Sequence, residues 1–338
     1  MTQMTIAEAL RQAIREEMQR DPLVFCIGED IGVQGGWGGA FTVTLGLSDE
    51  FGHERILDTP ISEIGLAGAA IGAAISGMRP IADVQYGDFL FCMMDQLANQ
   101  AAKMTYMSGG TVKVPMVMRA PVGATARGSQ HAQSLEAFMT HIPGLKVVAP
   151  STAYDAKGLL KSAVRDDNPV IVFEHKLLYG SKGARQERGA LSPIGEVPEG
   201  EYLVPIGKGI IRRQGQDVTL VGKLLTVYRA LGAAEQLAQD GIACEVIDPR
   251  TLYPLDTELI LDSVKKTGRL VVVEEDNQFN GWAAEIAAIV ADECFDYLDA
   301  PIKRVSAPHT PPPFAPVMEQ FYVPSVERVA QTVRALFE

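Results

Sequence analysis

The sequence predicts an α/β protein of two domains, each built around a mostly parallel sheet. Three observations carry this. Short, near-continuous apolar runs alternate with stretches of helical period, the pattern of strands buried on both faces and joined by crossover helices. The 338 residues exceed what one core usually holds, about 100 to 200 residues. The alternation also breaks once, from about Lys176 to Ile211, where "GSKGARQERGALSPIGEVPEGEY" is rich in glycine, proline and mixed charge. The expected limits are a first domain over 1–185, a linker over 186–204 and a smaller second domain over 205–338.

Each element follows from its local pattern. Apolar residues at helical spacing among Arg and Glu predict an amphipathic surface helix over 6–20, and "VFCIGED" a strand that runs into a glycine-rich loop, "GVQGGWGGAF". A short run ending in "RILDTP" precedes a helix over 62–78, "RPIADVQY" reads as a strand, and 88–108 as one long helix. Then come the strand "VPMVMRAPVG", a polar loop through His131, the strand "LKVVAP", the helix "AYDAKGLLKSAVRD" and the strand "PVIVFEH". Beyond the linker, "DVTLVG", "IACEVIDPRTL", "RLVVVEED" and "PIKRVSAP" recur as strands, separated by helices near 225–239, 255–266 and 281–294. Proline-rich "HTPPPFAP" is stiff and precedes a closing helix over 325–337.

Composition removes several function classes. Hydrophobic residues at 47% and charged ones at 21% suit a globular protein with a substantial core. A net charge of −12 with no basic cluster repels a phosphate backbone, so nucleic acid is not an expected partner. Cys26, Cys92, Cys244 and Cys294 are scattered without a C-x-x-C pair, which suggests reduced cytosolic thiols rather than a zinc site or disulfide framework. The first helix lacks the apolar core of a signal sequence, and the apolar window 64–78 is too short to span a membrane. The expected location is cytoplasmic.

The glycine loop over 32–39 lacks G-x-G-x-x-G in register, so a nicotinamide site is not expected there. No phosphate loop is present, nor a G-D-G followed by Asn, the thiamine-enzyme pattern that holds a diphosphate through Mg²⁺. His131, in "ATARGSQHAQS" between a strand and a helix, lies where active-site loops of α/β sheets gather. His53 and His175 read as surface or satisfied core residues, and His141 and His309 as turn residues. Glu63 in "DTPISEIGLAGAAIGAAISG" is a lone acid in a first helical turn, with an N-cap from Ser62, or from Thr59 with Pro60. Taken alone it reads as a cap. Gly65, Ala69, Ala70, Gly72, Ala73 and Gly77 after it call for close approach of another backbone, which would put the carboxylate in a confined crevice.

"GEDIG" at 28–32, "DTPISEIG" at 58–65, "RPIADVQYGDF" at 79–89, "MDQLANQAAKMTYMSGG" at 94–110, "SQHAQS" at 129–134, "PSTAYDAKGLLKSAVRDDNPVIVFEHKLLYG" at 150–180 and "DPRTLYPLD" at 248–256 together resemble one family over essentially the whole chain. It is the beta subunit of the thiamine diphosphate-dependent dehydrogenase component of 2-oxo acid and acetoin dehydrogenase complexes, a transketolase-like enzyme split into two chains. The resemblance implies a pyrimidine-binding domain followed by a transketolase C-terminal-like domain. It also implies that an alpha subunit holds the diphosphate and Mg²⁺, which accounts for the missing G-D-G motif.

By the same resemblance, Glu63 matches the acid that hydrogen-bonds ring nitrogen N1′ of the aminopyrimidine, Phe89 the aromatic residue that packs on that ring, and Glu29 a neighbouring acid. His131 matches the histidine that faces the thiazolium. The backbone carbonyls of Met116, Ala163, Val164, Asp166 and Asn168 match a potassium site, although Asp-Asp-Asn-Pro equally suits a helix stop. The implied assembly is an α2β2 heterotetramer that reductively acylates the lipoyl group of a dihydrolipoyl acyltransferase core, with NAD and FAD left to other components. "APHTPPPFAP", "DAPIKRV", "WGGAF" and "FEHKLLYG" are similar to acetoin-type chains, and "YMSGG" to pyruvate-type ones. A branched-chain 2-oxo acid subunit and a non-catalytic scaffold are the alternatives.

Overall fold

A computed structural model describes residues 1–33, 36–180 and 193–338. Gln34 and Gly35 of the glycine loop, and 181–192 of the expected linker region, lie outside the described residues. The chain divides into two compact units, Met1–Val122 with Phe138–Ile206, and Gly123–Ala137 with Gly207–Glu338. The stretch that carries His131 therefore clusters with the second unit, whereas the sequence expectation put it in the first domain.

In chain order the first unit contains β1 (Thr2–Met4), α1 (Ile6–Arg20), β2 (Val24–Gly28), α2 (Leu47–Phe51), β3 (Ile56–Asp58), α3 (Glu63–Ile75), β4 (Arg79–Asp83), α4 (Ala102–Met107), β5 (Val117–Val122), α5 (Glu136–Thr140), which begins in the second, β6 (Lys146–Val148), α6 (Ala153–Arg165), β7 (Val170–His175) and β8 (Gly195–Val197). Six of its strands lie side by side in the order β6-β7-β5-β4-β2-β3, every pair parallel. Strands β2, β5 and β7 are buried along their whole length, which is why they read as unbroken apolar runs. Helix α1 starts with a capping box, Thr5 accepting from Glu8 N and Glu8 reaching back to Thr5 N. It packs on α6, where buried Lys157 and Lys161 both reach Glu16, at 2.7 and 2.6 Å.

The single helix expected over 88–108 is instead a 3₁₀ turn (Gly87–Met93), a π-helical stretch (Asp95–Ala101) and α4. Gly87, Leu90 and Met93 are buried at a spacing of three, and Leu97 and Ala101 at a spacing of four. Spacings of three and four also fit one face of a single α-helix, which is why the periodicity reads as one helix.

The second unit contains β9 (Ile210–Arg213), β10 (Val218–Gly222), α7 (Leu225–Gln239), β11 (Cys244–Asp248), β12 (Thr251–Tyr253), α8 (Thr257–Thr267), β13 (Leu270–Asn277), α9 (Trp282–Glu293), β14 (Lys303–Ala307), α10 (Pro316–Tyr322) and α11 (Val326–Arg334). Its five-stranded sheet has the order β14-β13-β10-β11-β9, parallel except for β9, which runs antiparallel at the edge. Helices α7 and α11 close one face over Val218, Leu220, Val246, Val271 and Val305. Among the described residues no helix is long and apolar enough to cross a membrane.

Candidate active site

Because the first sheet is parallel, the loop after every strand emerges at the same edge. The chain leaves β2 for its neighbour β3 on one side, then returns to β4 on the other. Ligands of open α/β sheets bind outside the carboxyl ends at such a reversal of strand order. Glu29 directly follows β2, Glu63 opens α3 after β3, and Phe89 lies in the 3₁₀ turn after β4. Folding thus brings these three expected residues to one end of the sheet.

Glu29 and Glu63 lie near enough to feel each other's charge. Burial, and then the charges of Glu63, Asp30 and Asp83, raise the Glu29 carboxyl above its ordinary value. Gln85 braces this corner: its Nε2 donates to Glu29 O at 2.6 Å and its Oε1 accepts from Ala40 N at 3.1 Å. The glycine loop folds back onto the same edge, with Gly32 N donating to Asp58 at 2.7 Å and Ser48 Oγ to Gly32 O at 2.8 Å.

Glu63 is half-buried at the first position of α3. Ser62 occupies the N-cap position, but its side chain makes no capping hydrogen bond, so the cap expected from it is absent. Among the described residues no hydrogen bond or ion pair reaches the Glu63 carboxylate. It stands at the positive end of the helix, next to a second acid, free to bind a nitrogen of a polar heterocycle. Leu66, Ala67, Ala70, Ile71 and Ala74 bury the inner face of α3. The outer face is open: Ile64 is 51% exposed, and a Cβ on Gly72 would meet nothing within 4 Å. The close backbone approach expected along that face is not made among the described residues. Phe89, also half-buried, meets Tyr86 edge-on at 6.3 Å, and the Lys176 ammonium lies 5.0 Å from the centre of the Tyr86 ring.

Sequence reasoning missed the charges beneath this edge. Arg119 of β5 is buried, donates to both Glu174 oxygens at 2.9 and 2.6 Å, and pairs with Asp83 of β4. Tyr179 Oη donates to Glu174 at 2.5 Å. The signal was available as single charges inside apolar strands, in "RPIADV", "VMRAPV" and "VIVFEH". Burial and the Glu174 charge push Asp83 up to about 6, against the pull of Arg119.

In the second unit His131 is half-buried and ends a turn in which its N–H donates to Gly128 O at 3.3 Å. Downstream, buried Glu136 pairs with Lys223 at 3.1 Å, and Lys223 with Asp276 at 2.6 Å. Of the other histidines, His53 Nδ1 lies 3.2 Å from Ser48 Oγ, His175 Nδ1 accepts from Leu177 N at 3.1 Å, and His309 tilts against Phe279.

Four of the five carbonyls expected to face potassium, those of Met116, Ala163, Val164 and Asp166, already have donors. Arg79 Nε reaches Val164 O at 2.7 Å and its Nη2 reaches Asp166 O at 2.6 Å. Met116 O accepts from Val170 N, and Ala163 O from Asp166 N. Asn168 bonds through its backbone and side-chain nitrogens to the Asp166 carboxylate, 2.9 Å each. Arg79 draws two carbonyls toward one point, and each carbonyl keeps a second lone pair.

The model of the transketolase pyrimidine binding domain matches residues 2–182, and that of the transketolase C-terminal domain matches residues 207–329. The chain is 49% identical to the beta subunit of acetoin:2,6-dichlorophenolindophenol oxidoreductase of Cupriavidus necator, over 98% of this chain and 96% of the relative. It is 48% identical to the pyruvate dehydrogenase E1 component subunit beta of Rickettsia felis, over 98% of each. With the 2-oxoisovalerate dehydrogenase subunit beta of Bacillus subtilis it shares 45% identity over the full length of both. A solved split-gene transketolase, described as an inactive beta4 tetramer, superposes with a TM-score of 0.77 over 98% of each chain at 22% identity, which speaks to the fold alone. The chain therefore belongs to the thiamine diphosphate-dependent E1 beta subunits of pyruvate, acetoin and branched-chain 2-oxo acid dehydrogenase complexes.

Proposed function

We propose that the chain is the beta half of a cytoplasmic α2β2 heterotetramer that cleaves acetoin or pyruvate and delivers the acyl group to the lipoyl group of an acyltransferase core. The observation that carries this is Glu63, a half-buried carboxylate without a hydrogen-bonding partner among the described residues, beside a second acid where the strand order reverses. That corner fits the aminopyrimidine end of the cofactor. Glu63 would hold ring nitrogen N1′, with Glu29, whose carboxyl is raised by burial and then by the Glu63 charge, beside it. Phe89 would pack on the ring. His131 would orient the reacting carbonyl and exchange a proton through its imidazole. Bound thiamine diphosphate supplies the carbon nucleophile.

The diphosphate and Mg²⁺ are assigned to the alpha chain, because this sequence lacks the G-D-G and Asn pattern. An alpha chain would also cover Ile61, just before α3, and Ile64 on the outer face of that helix, which are 83% and 51% exposed. The smaller domain is assigned to pairing of the two beta chains and to docking the peripheral subunit-binding domain of the core. A potassium ion would use the second lone pairs of the carbonyls gathered near Arg79, since a hard cation suits neutral oxygens.

Acetoin is ranked ahead of pyruvate on the sequence similarities at "APHTPPPFAP" and "WGGAF". Turnover of acetoin, pyruvate and a branched 2-oxo acid by the reconstituted tetramer tests the order: preference for pyruvate would reverse the ranking, and preference for the branched acid would overturn it altogether. Glu63→Gln tests the site. Activity should fall by about 10²- to 10⁴-fold, the usual worth of a positioned acid or base, and full activity would favour a scaffold role. The purified chain alone should bind thiamine diphosphate with Mg²⁺ weakly until the alpha chain is added, and tight binding by the isolated chain would refute the division of labour.

A further inference from the structure

The proline-rich segment over 309–316 and helix α10 have no part in the chemistry assigned above, yet both touch the turn that bears His131. Ala126 has a φ of 56°, a left-handed conformation that crowds the Cβ of an alanine and persists only where neighbours over-determine it. The neighbour here is Glu319 of α10, whose carboxylate accepts the Ala126 N–H at 2.5 Å, a charge-assisted bond. Gly128, with a φ of 77°, lies against Phe314, which a Cβ would meet at 3.2 Å. Ser129 Oγ donates to Pro312 O at 3.0 Å, and the fixed φ angles of Pro311, Pro312 and Pro313 keep that acceptor in place. Upstream, Ala124 N donates to Glu275 at 3.3 Å. Downstream, Glu136 is tied to Lys223. The turn is therefore held along its length by groups of the second unit.

We propose that Glu319 and Ser129 are positioning residues for His131. They hold the 126–131 turn against the proline segment, fix where the imidazole stands, and so set the rate of the step it assists while leaving substrate binding nearly unchanged. This rests on the role given to His131 under the proposed function.

The test uses the enzyme reconstituted with its alpha chain. The Ser129→Ala, Glu319→Ala double variant should lower kcat about tenfold, within the roughly 10²-fold that a 1 Å misplacement of a catalytic group can cost, with KM changed less than about twofold. Amide hydrogen exchange over 123–131 should quicken. Glu319→Gln, which keeps an acceptor for Ala126, should retain most of the rate. Adding the double change to His131→Ala should cause no further fall. If the double variant does not fold, Ser129→Ala alone carries the same readouts with a smaller fall. Unchanged exchange, an unchanged kcat beside an impaired His131→Ala, or a further fall in the combined variant would overturn the inference alone. Full activity of His131→Ala would remove the role of the histidine, and this inference with it.

Discussion

Replacing Arg119 by methionine removes the cation that joins two buried carboxylates and leaves the volume nearly filled, so the loss is electrostatic rather than a cavity. Arg119 is 1% exposed, faces Asp83 directly across the β4 and β5 pair, and grips both oxygens of Glu174. Removing one member of such a buried pair costs about 3–5 kcal/mol. The lower end applies, because Asp83 already sits at about 6 and can take up a proton close to neutral pH. About 3 kcal/mol corresponds to a fall of about 6–12 °C in Tm for a domain of this size.

The sign of the pH dependence follows from the raised carboxyl. Between its ordinary value near 3.8 and about 6, folded Asp83 holds a proton that the unfolded chain has lost. Its contribution is full below the lower value and fades as pH rises through the higher one. Without Arg119 the folded Asp83 carboxyl holds its proton more tightly still, so the deficit of Arg119→Met should be larger at pH 7 than at pH 5. Scanning calorimetry of the purified chain at both pH values measures it. A deficit under about 1 kcal/mol at pH 7, or an equal deficit at the two values, would refute the reasoning.

Two further outcomes are expected. Burial, and then Asp276, push Glu274 up to about 8, against the pull of Lys223, Ala283 N–H and Ser306. Its stabilising contribution is full below about 4.5 and is lost as pH rises through about 8, so Glu274→Gln should flatten the fall of Tm between pH 5 and 8, and an unaltered slope would count against this. If potassium occupies the carbonyls near Arg79, a concentration about tenfold above its Kd should add about 1.4 kcal/mol, or about 3–6 °C, over choline chloride at equal ionic strength. The same Tm in both salts would withdraw the ion.

The chain's own order of residues determined the alternation of strand and helix, because apolar period is a property of neighbours along the sequence. It also placed Glu29, Glu63 and Phe89 just after strands, and parallel strands put such positions at one edge whatever the strand order. Only the tertiary structure decided which strands lie adjacent. Asp83, Arg119 and Glu174 meet across 36 and 55 residues because β4, β5 and β7 are neighbours, and local pattern says nothing of that. The same holds for the turn around His131. Its polar residues marked it as a loop, but its hold on Glu319, Pro312 and Glu275 spans over a hundred residues of chain and exists only because the second unit folds around it. The 87–107 segment differs from the single helix expected of it because the burial of Leu90, Met93, Leu97 and Ala101 is the pattern one α-helix would also give, so local period does not announce the change from a 3₁₀ turn to a π-helical stretch.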